Sequence, residues 1–188
     1  MRTMNPAFRS HMNRTFHGIL TSSVITVFGF APFSTNATTQ LAAESCNAQT
    51  VMGIQRPFSS SKSDVSATFT YKFEYRAPKR VGAPTIIYLP GGPGSGSIGD
   101  FASMREKFPD DYGLVLTDPR GVGCNGGLTI NDPDAFYQTN EFAQDVVAIV
   151  KNLKLDNYIL YGGSYGTVLA TTVTYVIENS EMVTKPKA

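Results

Sequence analysis

Tyr158-Ile159-Leu160-Tyr161-Gly162-Gly163-Ser164-Tyr165-Gly166-Thr167-Val168-Leu169-Ala170 is the most informative stretch of this chain. Its first four residues are apolar and β-prone, as in a short buried strand. From Thr167 to Asn179 there is no Pro or Gly, so a helix is expected over 167–179. Between strand and helix stands G-x-S-x-G. A serine on so sharp a strand-to-helix turn needs small flanking residues, and Gly162 and Gly166 supply them. This is the sequence pattern of a nucleophile elbow, with Ser164 as the exposed hydroxyl.

Working outward, 67–75 alternates with Phe69, Tyr71, Phe73 and Tyr75 on one face, which predicts a strand. Residues 85–89 and 112–117 are continuous apolar runs, as expected for buried parallel strands. A Gly/Pro-rich loop at 90–96 and a short helix at 101–108 lie between them. After the loop 118–127, Asp132 caps a helix with Pro133 at its first position. Phe136, Phe142, Val146, Ile149, Val150 and Leu153 then recur at helical spacing, predicting one continuous helix. Strand and helix alternate, so the fold class is α/β, a doubly wound, mostly parallel sheet with helices on both faces.

Three motifs end three successive strands: Pro90-Gly91-Gly92-Pro93-Gly94, Asp118-Pro119-Arg120-Gly121-Val122-Gly123, and the Ser164 elbow. Ligands of such sheets bind outside the carboxyl ends of the strands, so all three face one crevice. Ser164 is the candidate nucleophile, a weak one until a base takes its proton. The Tyr165 N–H, at a helix N-terminus, is available to hold an oxyanion. Gly91 or Gly92 offers the second N–H, because a glycine lets backbone approach a substrate carbonyl. Asp118 and Arg120 are expected to form a buried pair that fixes their loop. A phosphate loop is ruled out because Thr167-Val168 follows Gly166 where Lys-Ser/Thr is required. Pro93 likewise breaks any dinucleotide fingerprint over 91–96.

Together the motifs resemble the α/β-hydrolase fold, and within it the proline iminopeptidase-like serine aminopeptidases. Leu89-Pro90-Gly91-Gly92-Pro93-Gly94-Ser95-Gly96 is similar to that family's H-G-G-P-G oxyanion loop, with Pro90 in place of the His. Residues 118–123 are similar to its D-x-R-G-x-G loop, and secreted tripeptidyl and prolyl aminopeptidase relatives match best. The resemblance covers roughly residues 66–180 in the element order of that fold. It implies a peptide substrate bound at Gly91 and Gly92, an acyl-enzyme on Ser164, and an oxyanion held by the N–H groups of Gly92 and Tyr165. It also implies a helical cap, later strands, an acid and then a histidine, all beyond residue 188. After Ser164 the chain offers only Glu178 and Glu181 as acids and no histidine; His11 and His17 precede it. The chain is therefore expected to be the N-terminal portion of such an enzyme, inactive or unstable alone. An esterase or lipase-like hydrolase on the same fold is the alternative, and a non-catalytic remnant or secreted binding protein is another.

Composition adds bounds. The 188 residues suit one domain, and a net charge of +1 argues against a nucleic-acid partner. No His/Cys/carboxylate cluster has ligand spacing, so no metal or cofactor is implied. Residues 1–43 contain no Asp or Glu; a basic stretch with Arg2, Arg9 and Arg14 leads into an apolar one that is too short for a stable membrane span. That order predicts a signal peptide and a secreted or periplasmic protein, with an N-terminal membrane anchor or transit peptide as rivals. Residues 44–64 read as a flexible, Ser-rich lead-in, and 65–188 as the N-terminal part of the hydrolase domain. Cys46 and Cys124 form either one disulfide or two unrelated thiols.

Overall fold

The computed structural model describes residues 45–59, 67–180 and 184–187. The expected signal or anchor over 1–43, and the end of the lead-in from residue 60, lie outside them. Five strands form one sheet in the order β1-β2-β4-β3-β5: β1 is Val51–Pro57, β2 Thr68–Arg76, β3 Thr85–Leu89, β4 Gly113–Thr117 and β5 Tyr158–Gly162. The helices are α1 (Phe101–Lys107), α2 (Pro133–Phe136), α3 (Thr139–Asn152) and α4 (Tyr165–Glu178), with a 3-10 turn at Gly123–Asn125. β3 runs parallel to both β4 and β5, while β2 is antiparallel to β1 and β4. The parallel half is the part built from strand-helix alternation, and it carries all three motifs.

Side-chain alternation sorts the core into two layers. On one face Phe69, Tyr71, Phe73, Ile87, Leu89 and Val115 pack against Phe142, Val146 and Ile149 of α3 and Leu169 and Val173 of α4. On the other, Ile86, Leu114 and Leu116 pack against Met104 and Phe108 at α1. Because residues i and i+2 of a strand share a face, Ile86 and Ile87 feed opposite layers. Helices therefore cover both faces of the sheet, as expected.

Two readings need correction. Residues 51–57, assigned to a flexible lead-in, form β1, which pairs with β2 in full register from Val51 opposite Glu74 to Pro57 opposite Thr68. Gly53 and Pro57 mask the strand in sequence, and it lies at the sheet edge, where proline is tolerated. The helix expected to run on from Pro133 is broken. Asp132 accepts from the Ala135 N–H and starts α2, but Gln138 is extended (φ −67°, ψ 141°) and its carbonyl accepts from Glu141 and Phe142 to start α3. The break lets Phe136 bury against Phe58 and Phe69 while Phe142 faces Tyr71. Among the described residues no helix is long and apolar enough to cross a membrane.

Beyond α4 the backbone returns to the sheet. The Lys187 N–H donates to the Tyr158 carbonyl at 2.9 Å, and the Tyr158 hydroxyl donates to the Thr184 carbonyl at 3.1 Å. Residues 184–187 thus lie against the side of β5 opposite β3.

Candidate active site

Ser164 has φ 55° and ψ −124°, a left-handed backbone that costs a non-glycine residue energy and persists only where the surroundings impose it. It stands at the N-cap of α4, yet its side chain makes no capping hydrogen bond. A serine there ordinarily satisfies the helix's first amides with its own oxygen. Here backbone does so instead: Gly166 N–H donates to the Gly163 carbonyl and Thr167 N–H to the Ser164 carbonyl, both at 2.9 Å. The hydroxyl is left exposed, and the Tyr165 N–H, first in the helix, has no partner within it.

The packing that forces this turn is glycine packing. A Cβ on Gly166 would run into the Leu89 carbonyl oxygen, and one on Gly162 into the Gly166 carbonyl. Strand β3 and helix α4 are therefore in backbone contact beneath the serine. Gly91, two residues past the end of β3, sits against the elbow: a Cβ there would lie 3.5 Å from that of Ser164 and 3.2 Å from the Gly163 carbonyl oxygen. Gly92 follows with φ 111° and a cis bond to Pro93. The structure thus brings the 90–94 loop and the elbow together, as the motif order requires.

Asp118 and Arg120 are both buried, but they are not a pair. The Asp118 carboxylate accepts from the N–H groups of Ser97 (2.5 Å), Ile98 (2.9 Å) and Cys124 (2.9 Å). Arg120 makes a two-point contact with Asp145 of α3 (2.6 and 2.8 Å), approaches Glu141 at 3.4 Å, and donates to the carbonyls of Phe58 and Pro57. Its guanidinium also stacks over Phe69 and Phe136, at 5.1 and 5.0 Å from the ring centroids. Arg56 of β1 adds a second cation to Asp145 at 2.7 Å. Burial pushes the Asp145 carboxyl up, and hydrogen bonds and charge from Arg120 and Arg56 oppose it. The two residues, separated by Pro119, thus bond to different neighbours: Asp118 to the 97–98 backbone and Cys124, and Arg120 to α3.

Beside the elbow lies a hollow of about 350 Å³, walled by Pro93, Gly94, Val122, Tyr137, Phe142 and Tyr165. Arg120 is its one ionisable cation and is already held by carboxylates. The Tyr165 hydroxyl is 2.7 Å from that of Thr139, which ties the first residue of α4 to the first of α3. Sequence reasoning missed Thr139, Asp145 and Glu141. For the two acids a signal existed, since both fall on the otherwise apolar stripe of α3 and so had to be buried with a cation. Cys46 and Cys124 are joined in a disulfide. Among the described residues no group of three or more His, Cys, Asp or Glu is placed to hold a metal ion, and none is a histidine.

The sequence model of the alpha/beta hydrolase fold matches residues 84–181, from β3 through α4. The chain belongs to the α/β-hydrolase fold family. Within that family it is similar to proline iminopeptidases: that of Arabidopsis thaliana is 32% identical over 128 residues, covering 66% of this chain and 31% of the relative. A provisionally named proline iminopeptidase of Mycoplasma pneumoniae is 33% identical over 99 residues, 53% of this chain and 30% of the relative. This α/β hydrolase thus spans about a third of the length of the curated relatives it matches. Among solved structures, an alpha/beta hydrolase from Novosphingobium aromaticivorans superposes with a TM-score of 0.50 at 19% identity, over 68% of this chain and 40% of that one. At that identity the likeness concerns the fold.

Proposed function

We propose that Ser164 is the nucleophile of a serine hydrolase, and that the enzyme is an aminopeptidase releasing N-terminal residues or short peptides. The left-handed Ser164 at an uncapped helix N-terminus, with Gly91 against it, carries this reading. The Ser164 oxygen attacks the scissile carbonyl as a base takes its proton. Negative charge then develops on the carbonyl oxygen, where the N–H groups of Tyr165 and Gly92 receive it. Each such donor is worth roughly 3–4 kcal/mol in the transition state. Collapse expels the amine and leaves an acyl-enzyme, which water hydrolyses. The hollow beside the elbow suits an uncharged group of the substrate. Similarity to proline iminopeptidases favours a peptide over an ester.

The described residues contain no histidine, so in this reading the histidine base comes from other residues, and residues 45–187 alone are inactive. The Cys46–Cys124 disulfide supports an oxidising compartment, secreted or periplasmic. Chromogenic N-terminal aminoacyl amides and short acyl esters, offered to the native protein and its Ser164→Ala variant, test the proposal. Amide turnover that falls by about 10⁴-fold or more in the variant is expected. Turnover of esters alone replaces the peptidase by an esterase, and turnover unaffected by the substitution removes Ser164 from the chemistry.

A further inference from the structure

Residues 45–50 hold the far end of the oxyanion loop by two routes. In the first, the disulfide ties Cys46 to Cys124, and Cys124 N–H donates to one Asp118 oxygen. The other Asp118 oxygen accepts from Ser97 and Ile98, and the buried Ser97 hydroxyl exchanges hydrogen bonds with Thr117 N–H and C=O. In the second, Thr50 Oγ1 donates to Glu74 Oε1 at 2.6 Å, and Gly99 N–H donates to Glu74 Oε2 at 3.2 Å. Contact closes the gap between the routes, since a Cβ on Gly99 would lie 2.7 Å from the Ser45 Cβ.

We propose that the Cys46–Cys124 bridge is a redox-sensitive clamp on the loop that carries Gly91 and Gly92, acting through Asp118 as a positioning residue. The functional weight of the clamp rests on Gly92 being an oxyanion donor, but the clamp itself does not. Both cysteines are half-buried and line a hollow of about 340 Å³ that also exposes Asp100 and Gly123, so a small dithiol reaches the bond. Reduction breaks the S–S bond. The dithiol gives up two electrons and two protons, the cysteines become two thiols, and the dithiol closes into its own disulfide. Asp118 then loses the fixed position of its Cys124 partner, and Ser97 and Ile98 lose a fixed acceptor.

The test is backbone ¹⁵N relaxation on the native protein before and after reduction with dithiothreitol. Order parameters of Ser97, Ile98 and Gly99 are expected to fall from about 0.85 to below about 0.6, while Ile87 and Val115 in the strands stay rigid. A loop that stays rigid, or a chain that unfolds as a whole, overturns the clamp, because the bridge would then act on nothing or on the entire fold. In Asp118→Asn with the bridge intact, one carboxylate acceptor is lost, and the Ser97 and Ile98 amides are expected to loosen while Gly99, held by Glu74, stays ordered. If Ser97 and Ile98 remain ordered, the route through Asp118 is wrong. None of these readouts involves turnover, so failure of the clamp is separable from failure of the peptidase reading.

Discussion

Gly166 shows how little room the site has. Its α-carbon faces the Leu89 carbonyl oxygen, and that approach holds β3 and α4 in register under Ser164. Gly166→Ala forces backbone to move against backbone, and a loss of roughly 3 kcal/mol in denaturant unfolding is expected. Gly163→Ala, whose added carbon meets nothing within 4 Å, is the control and should cost far less. Tyr158 offers a second single-residue test. Burial pushes its hydroxyl up to about 12, whereas an unfolded tyrosine titrates near 10. The folded state therefore holds this proton more tightly. Its contribution to stability is present below pH 10 and is lost as pH rises toward 12. Tyr158→Phe should flatten that alkaline slope in pH-dependent unfolding. A slope identical to that of the parent chain would remove Tyr158 as its source.

Among the elements, the Arg120 contacts join three that are distant in sequence: β1 through Pro57, the loop after β4, and α3 through Asp145 and Glu141. Arg120→Ala leaves two buried carboxylates short of their main cation, and a loss of roughly 3–5 kcal/mol is expected. Arg56→Ala should cost much less, because Arg56 is more exposed and Asp145 keeps Arg120. Equal losses in thermal or denaturant melts would contradict this division. The same cluster marks the limit of what sequence discloses. The Ser164 elbow, β2 to β5 and the α1 and α4 helices were legible because their signals are local: spacing, alternation, and glycines at a turn. The partner of Arg120 was not, since Asp145 is 25 positions away and tertiary packing makes the choice. β1 was hidden for a related reason. Its residues show no clean alternation, and its pairing is dictated by β2 across the lead-in. The break at Gln138 escaped notice because Phe136 and Phe142 both suit a helical stripe, while the volume each fills is set by other elements.

At the scale of the molecule, the sheet described here ends at β5, whose Tyr161 is half exposed. On α4, Val168 and Tyr175 are 55% and 65% exposed, seven residues apart on one face of a helix whose only charge is Glu178. Residues 184–187 give β5 one backbone hydrogen bond on its outer side. An apolar helix face beside an open strand edge favours association. The 188-residue chain alone is expected to self-associate as concentration rises in sedimentation velocity. Val168→Lys with Tyr175→Lys should shift it toward monomer. A chain that sediments as monomer across the range would show that this face needs no cover.

The disulfide also sets what a protease can accomplish. Arg80 and Val81 lie in the turn between β2 and β3, Val81 is 99% exposed, and both positions fall between Cys46 and Cys124. A cut after Arg80 divides the chain in two, yet the halves stay covalently joined and share one sheet. Such nicked protein would migrate as a single band in a denaturing gel and separate only when reductant is added, so apparent resistance to trypsin has meaning only under reducing conditions.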